Sequence, residues 1–445
     1  MGYKCWRKIS DWASEHQKIL EVAFVFLLGA YFFKWSIVQE YNYAPDEAMR
    51  YALPKYLYDH SRFPIGDAPD IRNEIFGFSY AFMPTWLEPL LACLYMHIGA
   101  FFFGESEFVL VTSARFVSVI AMAIASFFIL RMLDRIVSIP VKWTTTILIV
   151  SIPQFAFVAS YVNQDSLNLC GASMIACAWV LGIKDGWNIK NSILLSIGII
   201  TVALSYYFGY GWILGSVLLF FLSYILRIGN NKNDYKQMLK LALQITCIVL
   251  IIVLPFFIRN LVVYDGDLLG RAHMSAAQIK YGQDWIKPEN RPSLRAQGYG
   301  FSYILRDKQW WMNSFISFVG DFGYLQYPVP KWIWRIYESF FVLYLAGCMG
   351  EFIVEFQKKH WKKIILYLFI GAEFALPIFL SLWYSYSTDY GPQGRYVFAL
   401  IPALTIMIAK GDEFLENHRQ FKRIVVVLLI LYVSSRAYLN TYIVT

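Results

Sequence analysis

The chain has 445 residues, of which 58% are hydrophobic, 18% aromatic and only 16% charged, well short of the roughly one-quarter charged share of a soluble domain. That composition excludes a soluble multidomain protein, a disordered tail and a disulfide-rich secreted module, and leaves a protein solvated largely by lipid. The formal net charge of +8 does not imply nucleic acid, because Lys and Arg fall in short clusters between apolar runs rather than on one patch.

A hydrocarbon core of ~30 Å takes about 20 apolar helical residues. In chain order, runs of that kind cover residues 19–39, 108–131, 143–162, 166–183, 192–208, 210–226, 239–258, 334–354, 364–383, 395–410 and 424–441. The first is too long, and lacks a small-residue cleavage site, to be a removed signal peptide. Basic clusters punctuate the runs: Lys4, Arg7, Lys8 and Lys18; Arg131, Arg135 and Lys142; Lys184 and Lys190; Arg227, Lys232, Lys236 and Lys240; Lys358, Lys359, Lys362 and Lys363; Lys410, Arg419, Lys422 and Arg423. About eleven spans with a cytoplasmic N-terminus put every cluster inside. The fold class expected is therefore an all-α polytopic membrane protein, with residues 1–445 forming one integral membrane domain.

Residues 86–103 are apolar enough to span, but a single crossing there would turn every later basic cluster outward. The expectation is a helix lying on, or dipping into, the outer interface, with Glu88 and His97 as polar interruptions. Two long external loops follow. Residues 40–107 carry ten acids against four Lys or Arg, and 259–333 carry nine basic residues against six acids. No internal repeat is visible and no paired broken helices, which argues against a secondary transporter.

The six cysteines, Cys5, Cys93, Cys170, Cys177, Cys247 and Cys348, mostly lie in apolar runs without CxxC or Cys/His spacing, so neither zinc nor a disulfide framework is expected. Asp265-Gly266-Asp267 is an acidic triplet of a kind that binds divalent ions in some nucleotide-sugar enzymes. Gly between two Asp is also ordinary turn chemistry, and that reading is preferred. His60, His97 and His273 are external without metal-ligand spacing. No cofactor is expected, and a divalent metal is unsupported.

The stretch richest in chemistry is Tyr43-Ala44-Pro45-Asp46-Glu47, directly after the first span. Pro followed by two acids suits a helix start, where carboxylates complement the helix dipole. The same residues suit a general base at the outer surface, Asp46, with Glu47 supporting it or touching substrate.

Here the chain resembles a family. Pro45-Asp46-Glu47 after the first span is similar to the first external loop of the GT-C glycosyltransferases, polytopic enzymes that use polyprenyl-phosphate sugars and include the protein mannosyltransferase-like and aminoarabinose transferase-like bacterial groups. Met83-Pro84-Thr85-Trp86, Gly104-Glu105-Ser106 and Ala114-Arg115-Phe116 look like that family's interfacial helices leading into its second span. Gln154-Phe155-Ala156 through Asn163-Gln164-Asp165-Ser166 resembles its second external loop. Arg259-Asn260, the segment Tyr264–Gly270, Ser317–Gly323, and Gln393-Gly394-Arg395-Tyr396-Val397-Phe398 with Pro402-Ala403-Leu404 resemble its later motifs. The matches run in order along most of the chain. Only about four residues follow the last span, so no appended soluble domain is expected.

The resemblance implies a GT-C-like bundle with interfacial helices in the first external loop, and an inverting transfer in which Asp46 deprotonates the acceptor hydroxyl. The leaving polyprenyl phosphate calls for Arg: first Arg395, then Arg259 and Arg271. Arg395 could equally snorkel to lipid phosphates, and Arg115 could cap or pack a span. Asp165 and Asn163 suit acceptor or sugar contacts, with N-capping as the competing reading. Gln393, Tyr396, Trp310 and Trp383 complete the expected sugar-binding set, although aromatic belts account for most of the Trp and Tyr. Expected partners are a polyprenyl-phosphate-linked sugar, a glycan or lipid acceptor and membrane lipids, at a bacterial cytoplasmic membrane. Two rivals stand beside this reading: a transporter or flippase of lipid-linked saccharides, and a polysaccharide polymerase or ligase. Asp46→Asn is expected to abolish transfer and Glu47→Gln to be milder.

Overall fold

The computed structural model describes residues 15–229 and 234–416. Helix α1, Gln17–Val38, is followed by a short loop and α2, Glu47–His60. Next come α3, Leu87–Phe103, and α4, Glu107–Leu133. Helices α5, Ile139–Val150, and α6, Pro153–Ala159, form a bent pair, then α7, Asp165–Asp185, α8, Ile189–Ala203, α9, Tyr210–Ile225, and α10, Tyr235–Val263. A long connection contains α11, Arg271–Tyr281, α12, Phe301–Arg306, α13, Trp310–Gly320, and a two-stranded antiparallel hairpin, β1, Asp321–Phe322, with β2, Tyr327–Pro328. Helices α14, Lys331–Gln357, α15, Trp361–Ser387, and α16, Ile401–Leu415, close the described chain.

Seven of these helices are long and apolar enough to cross a membrane, or eight if the bent pair is one span. They fall on seven of the runs read from the sequence, and the bent pair on an eighth. The 65° bend falls where Pro153 opens α6, since proline cannot continue the preceding hydrogen-bond ladder. The run 192–208 yields only the 15-residue α8, and the run 395–410 splits into a 3-10 turn, Gly394–Leu400, and α16. The run 424–441 lies outside the described residues.

The bundle is ordered by burial. In the apolar window of α7, 78% of residues are buried, against 11% in α10 and 17% in α1. An apolar helix left uncovered by protein is stable only against lipid. Local signals set the ends. Ser106 caps α4 by accepting from Val109 N, with Glu107 in the first turn and Arg131 in the last. Asn188 makes a reciprocal capping box with Asn191 at α8.

At one end of the bundle gather described members of the basic clusters. Arg135 meets Asp185 at 3.4 Å, Lys410 Nζ donates to Ile136 O at 2.9 Å, and Lys362 Nζ donates to Arg227 O at 2.6 Å. Lys142, read from the sequence as a member of one of the cytoplasmic basic clusters, is fully buried. Its ammonium lies 2.6 Å from Glu21 and 3.0 Å from Asp134, tying α1 to α5.

At the opposite end Leu53 and Leu57 of α2 pack with Ala81 and Trp86 of the segment that leads into α3. Helix α3 has 17 residues and ends at Gly104 with Phe101, Phe102 and Phe103 strongly exposed.

Candidate active site

The site is built where the loop after α1 enters α2. Asp46 adopts φ 65°, ψ 5°, left-handed backbone that costs a non-glycine residue on the order of 1 kcal/mol and is least costly for Asp and Asn. Something must hold it there, and the neighbouring residues supply the hold.

Glu47, the next residue, turns inward. Its Oε1 accepts from Arg115 Nε at 2.7 Å and Val162 N at 3.2 Å, and its Oε2 from Arg115 Nη2 and Asn42 N, both at 2.9 Å. Arg115 spends its remaining protons on the carbonyls of Ser36, Gln39 and Glu40. One buried pair thus ties the end of α1, the loop, the start of α2, α4 and the segment before α7 together. The expectation that Glu47 touches substrate is corrected by this geometry: its carboxylate is saturated and fully buried. Arg115 is the half of the pair whose role the sequence left open.

Asp46 points the other way. Arg395 Nη2 donates to its Oδ2 at 2.5 Å, Arg395 Nη1 donates to Pro45 O at 3.1 Å and Tyr161 Oη at 3.4 Å, and Arg395 Nε donates to Gln393 Oε1 at 2.7 Å. Asp165 Oδ2 stands 3.9 Å from Arg395 Nη1, an ionic contact without a hydrogen bond. Arg395 can arrive here because its 3-10 turn slides past α13 at Gly394: a Cβ there would sit 2.1 Å from Phe318 N. Burial works to raise the Asp46 pKa, but the charges of Arg395 and Arg50 outweigh it and hold the carboxyl below its ordinary range.

Arg50 was not anticipated. It follows Asp46, the residue before α2, by four positions, and that spacing was the available signal. Its guanidinium is buried, lies 4.4 Å over the Tyr80 ring and 5.6 Å from the Tyr206 ring, and is felt electrostatically by Asp46 and Asp165. Tyr80 and Tyr161 were missed as well, because only the tertiary fold brings their segments to Asp46.

Of the residues expected from sequence, the structure brings together Asp46, Arg395, Gln393, Asp165 and Tyr396, whose ring stacks on Phe208 at 5.3 Å. Arg271 stands at the rim, exposed, with its guanidinium 5.4 Å from the Tyr207 ring. Others serve elsewhere. Asn163 is a buried cap, its Oδ1 accepting from Ser166 N at 2.9 Å. Arg259 donates to Pro64 O at 2.6 Å and lies 5.1 Å from the Trp86 ring. Trp310 is buried with Nε1 donating to Ser385 Oγ at 2.9 Å. Trp383 is 43% exposed and packs among Phe301, Phe379 and Tyr386.

Two features frame the site. The hairpin leans on the loop between α1 and α2, with Tyr324 Oη donating to Asn42 Oδ1 at 2.9 Å and Tyr43 stacked on Tyr327. Beyond Arg395, an apolar cavity of about 360 Å³ opens between α13, α14, α15 and the Gly394–Leu400 turn, lined by Trp310, Phe315, Phe318, Phe341, Val397 and Leu400 among others. Among the described residues no three His, Cys, Asp or Glu gather as metal ligands. Asp267 of the acidic triplet accepts from His273 N at 3.0 Å and so caps α11.

The fold is similar to that of two solved structures. The chain superposes on ArnT from Cupriavidus metallidurans bound to undecaprenyl phosphate with a TM-score of 0.54 at 14% identity, covering 93% of this chain and 63% of that one. It superposes on an Archaeoglobus fulgidus oligosaccharyltransferase in the apo form with a TM-score of 0.54 at 13% identity, covering 94% and 56%. The likeness is one of fold, and the chain spans less than two thirds of the length of either neighbour. No curated protein matches it. Residues 90–404 match the family described as "Predicted membrane protein (DUF2142)", and the chain belongs to that family.

Proposed function

We propose that the protein is a membrane glycosyltransferase that moves a sugar, with inversion, from a polyprenyl-phosphate donor to a cell-envelope glycan or lipid-linked acceptor on the external face of the cytoplasmic membrane. The observation that carries the reading is the Asp46 carboxylate, held in left-handed backbone by Arg395 and a buried Glu47–Arg115 lock, at the bundle end opposite the basic clusters. By the positive-inside rule that end is external.

In the proposed step the acceptor hydroxyl oxygen forms the new bond to C1 of the sugar. The bond from C1 to the phosphate oxygen breaks, and the polyprenyl phosphate leaves with that electron pair. Asp46 takes the hydroxyl proton. A carboxylate held this acidic is a weak base in the resting protein, so proton transfer runs late, once bonding to C1 has acidified the hydroxyl. Arg395 has each of its nitrogens committed within the protein. We therefore assign it to orienting Asp46 rather than to binding phosphate. Arg50 and Arg395 balance Asp46 and Asp165, so the phosphate charge needs a further cation, and exposed Arg271 at the rim supplies it. The neighbouring apolar cavity suits the polyprenyl chain.

The likeness in fold to an enzyme bound to undecaprenyl phosphate supports the donor class. The test is transfer of labelled sugar from a panel of undecaprenyl-phosphate sugars by purified protein. Asp46→Asn is expected to lose about 100- to 10,000-fold in turnover while retaining donor binding. Equal turnover of variant and wild type would sink the mechanism.

A further inference from the structure

We infer that Arg50 and Glu88 together form the wall that recognises the hydroxyl groups of the donor's sugar ring, an inference that rests on the donor reading above.

Glu88 stands in the first turn of α3 and is 1% exposed, yet neither carboxyl oxygen finds a hydrogen-bond partner among the described residues. Arg50, 3% exposed, is in the same state at Nε and Nη1. Leaving such groups unmet is costly, more so where they are charged, so a fold keeps them only when something else satisfies them. Here both sides of the mismatch occur in one place. The charge of Arg50 acts on Glu88. Leu87 N donates to Leu204 O at 3.2 Å, docking the first turn of α3 against the segment that delivers Tyr206, whose ring faces Arg50. Gln164 Nε2 reaches Thr85 O and Oγ1, both at 3.2 Å, binding the same turn to the start of α7. Gln164 Oε1, Trp86 Nε1 and Asp165 Oδ2 also lack hydrogen-bond partners among the described residues.

The mixture selects the ligand. A bare anion would meet Asp46, Asp165 and Glu88, and a bare cation would meet Arg50 and Arg395. A neutral ring with several hydroxyls answers both sets, since each hydroxyl accepts from a guanidinium N–H and donates to a carboxyl oxygen. Burial pushes Glu88 up to about 8, against the pull of Arg50. At neutral pH it is thus mostly the uncharged acid, able to donate as well as accept. The pair is therefore matched to the sugar and leaves the phosphate to the rim.

The test compares the affinity of purified protein for undecaprenyl phosphate with that for undecaprenyl phosphates carrying glucose, mannose, galactose or aminoarabinose. The wild type is expected to bind at least one glycosylated form about 10- to 100-fold tighter than the bare lipid. Glu88→Leu removes that advantage and leaves bare-lipid affinity unchanged, Arg50→Met removes it as well, and Glu88→Gln, which keeps size and hydrogen bonding, restores part of it and guards against misfolding. An advantage preserved in Glu88→Leu overturns the inference, as does a wild type that binds no glycosylated form more tightly than bare lipid. A wild type that fails to bind undecaprenyl phosphate at all overturns the donor reading itself.

Discussion

Glu47→Gln separates the two adjacent acids. Each oxygen of the Glu47 carboxylate accepts two N–H groups, so the amide introduced by glutamine faces two donors whichever way it turns. Two hydrogen bonds are lost and Arg115, with 3% of its side chain exposed, loses its counter-charge. Breaking a buried pair from one side costs roughly 3–5 kcal/mol, a large part of a stability of about 5–15 kcal/mol. Asp46→Asn is gentler on the fold: the side chain is 23% exposed and an amide oxygen still accepts from Arg395, for a loss of about 1–2 kcal/mol. At roughly 2 °C per kcal/mol, thermal unfolding in detergent should fall by about 6–10 °C for Glu47→Gln and about 2–4 °C for Asp46→Asn. A double-mutant cycle with Arg115→Met should show strong coupling. Equal midpoints for the two variants, or no coupling, would refute the assignment of Glu47 as a lock.

Arg395→Lys should lower turnover at least 10-fold with little change in donor affinity, because a lysine cannot serve Asp46, Pro45 O and Gln393 together; a selective loss of donor affinity would return Arg395 to the phosphate. Gly394→Ala should reduce the yield of folded protein, measured by size-exclusion profile, since its Cβ would strike the α13 backbone at Phe318. Asp321 in the hairpin has its carboxyl pushed up to about 6 by burial. A raised carboxyl pKa favours folding below the ordinary carboxylate range, and that contribution is lost as pH rises through 6. Asp321→Asn should therefore raise the unfolding midpoint at pH 8 and leave it nearly unchanged at pH 4. The depressed Asp46 has the opposite sign: its pairing with Arg395 stabilises the fold above the ordinary carboxylate range and is lost as pH falls through its lowered value.

The sequence by itself determined the class of protein. Apolar runs of membrane length persist whatever packs against them, so the long helices were legible from hydropathy, and the basic clusters marked one end of the bundle. Asp46 was legible as a candidate, because Pro, Asp and Glu after a span form a local signal. Tertiary structure decided the rest. Asp46 and Glu47 are adjacent and chemically alike, and only the left-handed turn at Asp46, together with Arg115 on α4, sends one into the site and the other into a buried lock. Arg395 looked like a free cation at the end of a span until its partners, 350 and 349 residues away, were placed around it. Lys142 read only as one of a cytoplasmic basic cluster until Glu21 met it inside the bundle. Charge, unlike hydrophobicity, takes its meaning from the partner it finds, and these partners lie on elements that only the folded bundle brings together.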